Sequence, residues 1–222
     1  MERLNDCMYR QICKYDQECT DHCKRYVLSK FLLDMSNIPK SKQGFNELIP
    51  SKQDVNAFNQ LVDIRNSIED FVDDGRILYL WSENTGNGKT TWSIKLALQY
   101  INAVWEYYHE DPVVVFISVP EFLTKSKSFS DDFSVKEICK LRRDTEKADL
   151  IILDDIGIDY ISKYDYSVIF ALVDSLCLRD KAMIFTSNYS PNGLRDLVGD
   201  RLPSRICNDY VIELKGMDRR GE

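Results

Sequence analysis

The sequence predicts an α/β protein in which a parallel five-stranded sheet lies between two layers of helices. Strand-length apolar segments alternate with helical patterns from about residue 76 onward. Several of these segments, such as 113–117, are apolar at every position, which is typical of strands buried on both faces. The predicted strands are 76–81, 113–118, 149–154, 182–186 and 209–214, and the predicted helices between them are 90–108, 120–126, 134–147, 163–179 and 193–205.

Three segments of different composition divide the chain. Residues 1–35 carry four of the seven cysteines, followed by an apolar helical run. Residues 36–51 contain two prolines and a glycine among polar residues, which is typical of a linker. Residues 52–222 hold the α/β domain, and its first helix is predicted at 54–72, where apolar residues recur at helical spacing.

Composition limits the classes of function. Of the 222 residues, 44% are hydrophobic and 29% are charged, as in an ordinary globular protein. The net charge of −7 argues against a protein whose whole surface binds nucleic acid, although a local basic patch is compatible with it. The sequence shows neither an apolar segment of membrane-spanning length nor a signal-peptide core. We therefore expect a cytoplasmic protein without a membrane partner.

A glycine-rich turn after the first strand predicts a phosphate-binding site. The turn reads Asn84-Thr85-Gly86-Asn87-Gly88-Lys89-Thr90-Thr91. Glycines let several N–H groups converge on a polyanion, and the following helix N-terminus adds partial positive charge. Lys89 is placed to reach the outer phosphates, and the Thr90 hydroxyl to ligate Mg²⁺. Because Glu83 stands where the usual pattern has glycine, the alternative is an ordinary strand-to-helix turn.

Two further predicted strands also end in polar side chains. Asp154 and Asp155 follow the apolar strand at 149–154, and Asn188 follows the strand at 182–186. Ligands of open α/β sheets bind beyond the carboxyl ends of the strands, so these groups are expected beside the phosphate loop. Asp154 suits support of Mg²⁺, Asp155 suits orientation of the attacking water, and Asn188 suits contact with that water or the terminal phosphate. Solvated turns are the alternative.

Arginines near the C-terminus are candidate phosphate ligands. Arg201 and Arg205 lie four residues apart on one predicted helix face. Supplied by a neighbouring subunit, one of them would act as an arginine finger. An ion pair with a nearby aspartate is the alternative. Either Arg219 or Arg220 would reach the nucleotide of its own subunit, and a solvated basic tail is the alternative.

The N-terminal cysteines have a spacing compatible with a zinc site. Cys7, Cys13, Cys19 and Cys23 are soft ligands within a short segment that could hardly fold without a staple. His22 is an alternative ligand, and a helical arm with incidental thiols is the alternative to a metal site. The remaining cysteines, interpreted as small apolar fillers, are Cys139, Cys177 and Cys207.

Taken in order, the phosphate loop, the Asp-Asp strand end, Thr-Ser-Asn at 186–188 and Arg-Leu-Pro-Ser-Arg at 201–205 resemble AAA+ ATPases. The whole chain resembles DnaC/DnaI-type helicase loaders, particularly the phage-encoded type; the resemblance covers residues 45–222 well and extends more weakly to the cysteine-bearing N-terminus. The resemblance implies a nucleotide-binding ATPase core that lacks a helical lid domain and follows a zinc-binding, helicase-interacting N-terminal domain. It also implies ATP, Mg²⁺ and Zn²⁺ as cofactors. The implied function is to bind a hexameric replicative helicase and help place it on single-stranded DNA.

The resemblance also implies a role for each matching residue. Lys89 and Thr90 would hold phosphate and Mg²⁺, and Asp154 with Asp155 would form the Walker B pair. Asn188 would be sensor I. The implied trans arginine is Arg205, with Arg201 as the second candidate, and the implied sensor II is Arg219. An aspartate at 155, where many relatives have glutamate, predicts slow, switch-like turnover.

Loaders of this kind carry a helical insertion after the second strand that is associated with single-stranded DNA. The resemblance implies that residues 120–147 are the equivalent stretch. Its basic residues are Lys125, Lys127, Lys136, Lys140, Arg142, Arg143 and Lys147, and its aromatic residues are Phe122, Phe129 and Phe133. Basic residues that follow phosphates and aromatics that stack on bases would form a single-strand platform. Interspersed acidic residues leave a plain amphipathic surface helix as an equal alternative.

Two other functions fit the same motifs. A transposition helper of the IstB-like kind shares this core and also binds DNA, although such helpers usually begin with a helical domain. A non-hydrolysing adaptor would use ATP only as a structural ligand. Turnover stimulated by single-stranded DNA would exclude the adaptor.

Overall fold

The structure is a computed structural model, and it describes residues 4–13, 19–45, 55–107, 109–127, 132–157 and 162–215. The strands are β1 (Ile77–Trp81), β2 (Val114–Ser118), β3 (Leu150–Asp154), β4 (Ala182–Ser187) and β5 (Tyr210–Glu213). The helices are α1 (Lys24–Met35), α2 (Val55–Asn66), α3 (Ile68–Asp73), α4 (Lys89–Val104), α5 (Val119–Ser126), α6 (Asp132–Lys147), α7 (Lys163–Cys177), α8 (Pro191–Val198) and α9 (Pro203–Ile206), with a 3-10 turn at Lys40–Lys42.

The five strands form one parallel sheet in the order β2-β3-β4-β1-β5, which confirms the predicted α/β class. β1 lies between β4 and β5, so the three strands that end in polar motifs, β1, β4 and β3, are consecutive neighbours. Trp81 at the end of β1 pairs with Ser187 at the end of β4. The loops after these strands therefore lie together at the carboxyl ends of the strands, where parallel sheets bind ligands.

Alternate residues of each strand enter two separate cores, one on each face of the sheet. Leu78 and Leu80 pack with residues of α1 to α4, whereas Tyr79 between them packs with residues of α5, α7, α8 and α9. This division follows from the two-residue period of a strand. Both faces are covered, which explains why the strands are apolar at nearly every position.

Two predicted helices are each divided in the structure. The segment predicted as one helix at 193–205 forms α8 and α9, because Gly199 has a positive φ of 79° and Pro203 begins a new helix at its first position. The helix predicted at 54–72 is interrupted at Ser67, whose φ of −114° and ψ of 37° are not helical. The apolar residues keep a helical spacing across both breaks, so the sequence pattern alone did not reveal where each helix is interrupted.

The N-terminal segment packs into the same core as the first helix layer. Met8, Tyr9 and Phe45 are buried together with side chains of α2, α4 and β1. The N–H of Phe116 in β2 donates a hydrogen bond of 2.7 Å to the carbonyl oxygen of Ser36, which covers part of this edge strand. The proposed domain boundaries remain predictions. The described part of the predicted linker, residues 36–45, contributes buried side chains rather than being wholly exposed.

The three scattered cysteines differ in their surroundings. Cys177 and Cys207 pack against the second core, as fillers should, and burial raises the pKa of the Cys207 thiol to about 11. Cys139 is exposed, so the prediction that it fills the core is wrong. It lies on α6, most of whose surface faces solvent.

Two predictions concern the remaining parts of the chain. Within the described ranges, the helices are either too short or too polar to cross a bilayer. The predicted absence of a lid domain concerns the chain after β5, and residues 216–222 lie outside the described residues, so it remains a prediction.

Candidate functional site

The loop between β1 and α4 has the backbone that a phosphate cradle requires. Gly86 and Gly88 have φ values of 75° and 96°, in the left-handed region that glycine adopts without a steric penalty. Gly88 immediately precedes the first residue of α4, so N–H groups at this helix start face the loop. A Cβ on Gly88 would meet no atom within 4 Å, which means that backbone conformation rather than crowding calls for glycine.

Asn87 fastens the loop to the sheet through its side chain. The side chain is buried, and its amide nitrogen donates to the Ser82 hydroxyl and, at 2.9 Å, to the Leu214 carbonyl oxygen. The end of β1 and the end of β5 are therefore both tied to the loop. Asn87 was predicted to bind phosphate as part of the cradle. It lines the cavity, but its side-chain amide is occupied by the hydrogen bonds that hold the loop to the sheet.

Lys89 extends across the inside of the loop. Its side chain is only 9% exposed, and Nζ donates to the carbonyl oxygens of Asn84 at 3.0 Å and Ser82 at 3.3 Å. Carbonyl oxygens solvate an ammonium group less well than phosphate oxygens, which bring full charge. A polyanion in the loop would therefore provide Lys89 with stronger partners than these two carbonyl oxygens.

Three side chains from three elements meet at the base of the loop. The Thr90 hydroxyl donates to Asp154 Oδ2 at 3.1 Å, and the Thr186 hydroxyl donates to Asp154 Oδ1 at 2.7 Å. A hydroxyl and a carboxylate at this separation are the hard oxygen ligands that Mg²⁺ prefers, so these two side chains fit the ion. The predicted pairing of Thr90 with Asp154 is thus matched by direct contact.

Asp155 has an unusual backbone conformation. Its φ is 63°, its side chain is exposed, and its N–H donates to the Thr186 hydroxyl at 2.9 Å. Asn188 Nδ2 approaches Asp155 Oδ1 at 3.4 Å. Aspartate tolerates the left-handed region better than most residues, and such outliers cluster at functional positions. The carboxylate of Asp155 is therefore accessible to solvent and lies beside the amide of Asn188.

These groups line one cavity of about 610 Å³. Its described lining residues are Lys42, Thr85, Gly86, Asn87, Gly88, Lys89, Thr90, Thr91, Trp92, Lys95, Asp154, Asp155, Thr186 and Asn188. Seven of the eight predicted cradle residues are among them. The eighth, Asn84, contributes the carbonyl oxygen that accepts from Lys89.

Sequence reasoning missed four of the lining residues: Lys42, Trp92, Lys95 and Thr186. Thr186 had a signal in the sequence, because it lies at the polar end of a predicted strand, two residues before Asn188. Trp92 and Lys95 follow the loop on α4, where an exposed helix face would have been the ordinary interpretation. Lys42 had no signal, since a lysine in a polar stretch is usually solvated.

Arg201 and Arg205 do not line this cavity. Arg205 Nε donates to Asp174 Oδ1 at 2.7 Å, and its guanidinium lies 4.6 Å from the centre of the Phe170 ring. Arg201 is exposed, and its carbonyl oxygen accepts from Arg205. The aspartate partner of Arg205 is Asp174 on α7 rather than a neighbour in sequence. Arg219 lies outside the described residues, so its role remains a prediction.

The four N-terminal cysteines line one cavity, and His22 also lines it. All four are free thiols. In the described part of the chain, however, no three Cys, His, Asp or Glu side chains are arranged as metal ligands. The donor chemistry fits zinc and the arrangement does not, so the zinc site gains no support and remains a sequence-based prediction.

The predicted single-strand platform is only partly formed. Phe122 is buried in the second core and cannot stack on bases, whereas Phe133 is 67% exposed; Phe129 lies outside the described residues. Lys125 pairs with Glu121 and Glu137, Lys127 with Asp165, and Lys147 with Asp111. Lys140 and Arg143 lie within 4 Å of Asp144. These carboxylates offset much of the positive charge.

Comparisons with known proteins agree with this geometry. The sequence profile of the family described as "Bacterial DnaA ATPAse domain" matches residues 40–213. No curated protein matches in a sequence search.

The solved structures with a similar fold include the following three. AMPPCP-bound DnaA from Aquifex aeolicus has a TM-score of 0.57 and 20% identity, with 76% of this chain and 48% of that chain covered. A DnaI structure has a TM-score of 0.61 and 18% identity over 81% of this chain and 96% of that one. A DnaC helicase loader has a TM-score of 0.60 and 15% identity over 76% and 94%. The present chain spans about half the length of the Aquifex protein. At these identities the likeness shows a shared fold.

Proposed function

Because the chain belongs to the bacterial DnaA ATPase domain family, we propose that it is an ATP-dependent helicase loader. It would bind a hexameric replicative helicase in the cytoplasm and help deposit it on single-stranded DNA. The main structural support for ATP binding and hydrolysis is the hydrogen bond between Thr90 and Asp154 at the base of the glycine loop. Membership of the family supports a replication-related AAA+ ATPase in general, and the helicase and the DNA are the proposed specific partners.

The residues of the loop would bind the triphosphate. Backbone N–H groups of residues 85–91 would surround the phosphates, and Lys89 would exchange the carbonyl oxygens of Ser82 and Asn84 for phosphate oxygens. Thr90 and Asp154 would hold Mg²⁺, which offsets the charge that develops on the phosphates. The Thr186 hydroxyl fixes Asp154 from the opposite side and keeps its carboxylate oriented toward Thr90.

Asp155 and Asn188 would act on the attacking water. The carboxylate of Asp155 lies beside the amide of Asn188, so one group can accept a proton while the other orients the water or the terminal phosphate. Asp155 is exposed and one methylene shorter than glutamate. Both properties support slow turnover, which suits a switch that holds a partner until hydrolysis.

The helicase-binding surface is proposed on the N-terminal segment. Val27 and Phe31 lie one turn apart on α1 and are 46% and 49% exposed, and Ile12 is 51% exposed. Exposed apolar side chains that share a helix face are typical of protein-binding surfaces. The fold is shared with a DnaC helicase loader, which supports this choice of partner. The proposal does not depend on zinc.

The contacts to DNA and to a second subunit are proposed on the other helix layer. Phe133, Lys136 and Arg142 are exposed on α6 and would contact single-stranded DNA. Arg201 or Arg205 would complete the ATP site of a neighbouring subunit. Arg201 is the more accessible of the two, because Arg205 is paired with Asp174.

Capture of the helicase tests the proposed partner. The full-length chain, immobilised with Mg²⁺ and a non-hydrolysable ATP analogue, is expected to retain the replicative helicase of the same cell. Phe31→Asp is expected to reduce the retained helicase at least about tenfold, since a charge in an apolar contact costs well over 1.4 kcal/mol. Leu178→Asp is the matched control, because Leu178 is also exposed, at 80%, and follows α7 on the opposite side of the sheet.

The outcomes of this experiment separate the candidate functions. Retention by the control and loss by Phe31→Asp support a loader with its binding surface on α1. Failure of the unmodified chain to retain helicase, with a transposase bound instead, would favour a transposition helper. If both variants retain equal amounts of helicase, the helicase-binding surface does not lie on α1.

A further inference from the structure

The nucleotide cavity receives one residue from the N-terminal part of the chain. Lys42, the last residue of the 3-10 turn, lines the cavity, whereas every other described lining residue belongs to the range 85–188. Lys42 is exposed, and it takes part in none of the ion pairs found within the described ranges. Lys42 therefore borders the space where a triphosphate would lie.

The charge balance of the cavity favours an anionic ligand near Lys42. Three lysines, Lys42, Lys89 and Lys95, line the cavity together with two carboxylates, Asp154 and Asp155. Asp154 already accepts hydrogen bonds from two threonine hydroxyls on its two oxygens. Lys89 belongs to the glycine loop, and Lys42 adds positive charge from a different element of the fold.

Lys42 is held in place by contacts within its own turn. Its N–H donates to the Pro39 carbonyl oxygen at 2.8 Å, and Gln43 Nε2 donates to the Ile38 carbonyl oxygen at 2.7 Å. Ile38 is buried in the first core. These hydrogen bonds join the turn that carries Lys42 to a residue of the first core, while the Lys42 side chain is exposed.

The same turn is joined to the cysteine-bearing segment. Three residues after Lys42, the N–H of Phe45 donates to the Met8 carbonyl oxygen at 2.9 Å, and the Phe45 ring stacks on Tyr9 with 5.8 Å between ring centres. The guanidinium of Arg25 in α1 lies 3.8 Å from the centre of the same Tyr9 ring. A continuous series of contacts therefore leads from the cavity to α1.

We propose that Lys42 is a nucleotide-binding residue of this chain and that it transmits occupancy of the ATP site to the N-terminal segment. The inference rests on the proposed ATP site. A phosphate that attracts Lys42 would stabilise the turn at 40–45 and its contacts with Met8 and Tyr9. By linkage, a partner that binds the N-terminal segment in that arrangement would strengthen nucleotide binding by the same factor.

Nucleotide affinity of Lys42 variants tests the contact. Titration of the full chain with Mg²⁺ and a non-hydrolysable ATP analogue is expected to show about tenfold weaker binding for Lys42→Ala, as for loss of one charge-assisted contact. Lys42→Arg is expected to restore most of the affinity. Lys40→Ala is the matched control, because Lys40 begins the same turn, is exposed and does not line this cavity.

Amide hydrogen exchange tests whether nucleotide binding stabilises the turn at 40–45 through Lys42. In the unmodified chain, saturating nucleotide is expected to slow exchange of the Lys42 and Phe45 amides, and in Lys42→Ala, also saturated, it is expected to leave them unchanged. Wild-type affinity in Lys42→Ala, or equal protection in both proteins, would overturn the inference while leaving the ATP site intact. Absence of nucleotide binding by the unmodified chain would instead reject the proposed function itself.

Discussion

Lys89→Ala is expected to weaken binding of Mg²⁺-ATP by about 100-fold or more and to abolish hydrolysis. Lys89 is almost fully buried, and its ammonium group lies inside the loop among carbonyl oxygens. Two charge-assisted hydrogen bonds to phosphate would each contribute about 1.5 kcal/mol or more, which sets the size of the expected loss. Equilibrium titration with a fluorescent ATP analogue measures it.

The controls must distinguish a loss of nucleotide affinity in Lys89→Ala from a failure of this variant to fold. Removal of Lys89 leaves the carbonyl oxygens of Ser82 and Asn84 without this donor, so thermal unfolding of the variant should be recorded alongside the titration. Lys163→Ala removes an exposed lysine at the start of α7 and should bind nucleotide like the unmodified chain. Near-normal affinity of a folded Lys89→Ala protein would argue that the loop is not a phosphate site.

Asp155→Asn is expected to lower ATP turnover by about 100-fold or more while nucleotide affinity changes by less than about threefold, since general-base groups typically contribute 10²- to 10⁴-fold to rate. The substitution removes charge and keeps shape. Asparagine also tolerates the left-handed backbone of Asp155, whose φ is 63°, so the loop after β3 should keep its conformation. Steady-state phosphate release and the titration used for Lys89 provide the two measurements.

Asp196→Asn supplies the matched charge change for this experiment. Asp196 is exposed on α8 and does not line the cavity, so its loss should leave turnover unaltered. If Asp155→Asn hydrolyses ATP at the rate of the unmodified chain, Asp155 does not activate water. If it loses affinity in proportion to rate, Asp155 instead contributes to ground-state binding of the nucleotide.

The sheet and the polar groups at the carboxyl ends of its strands were predictable because each signal was local. Continuous apolar segments identified buried strands, and a strand followed by Gly-Asn-Gly-Lys identified a loop whose backbone needs positive φ at Gly86 and Gly88. Asp154, at the end of its strand, then followed from the general rule that parallel sheets bind ligands beyond their carboxyl ends. The structure brings it into contact with Thr90, 64 residues away in sequence.

The remaining features depend on contacts between distant parts of the chain. The partner of Arg205 is Asp174 on another helix, whereas sequence reasoning considered only aspartates close by. Phe122 was expected to stack on bases, but α5 turns it into the second core. The approach of Lys42 to the phosphate cavity depends on how the N-terminal segment folds back onto the sheet, which no local pattern encodes.

The central claim is that a nucleoside triphosphate binds in the cavity between the glycine loop and Asp154. A crystal structure of the full chain grown with excess Mg²⁺ and a non-hydrolysable ATP analogue tests it most directly. The phosphates are expected along residues 85–91, with Mg²⁺ at Thr90 and Asp154 and with Lys89 Nζ moved from the Asn84 carbonyl oxygen to a phosphate oxygen. A cavity that holds no nucleotide under these conditions, with Lys89 still bonded to Ser82 and Asn84, would contradict the account.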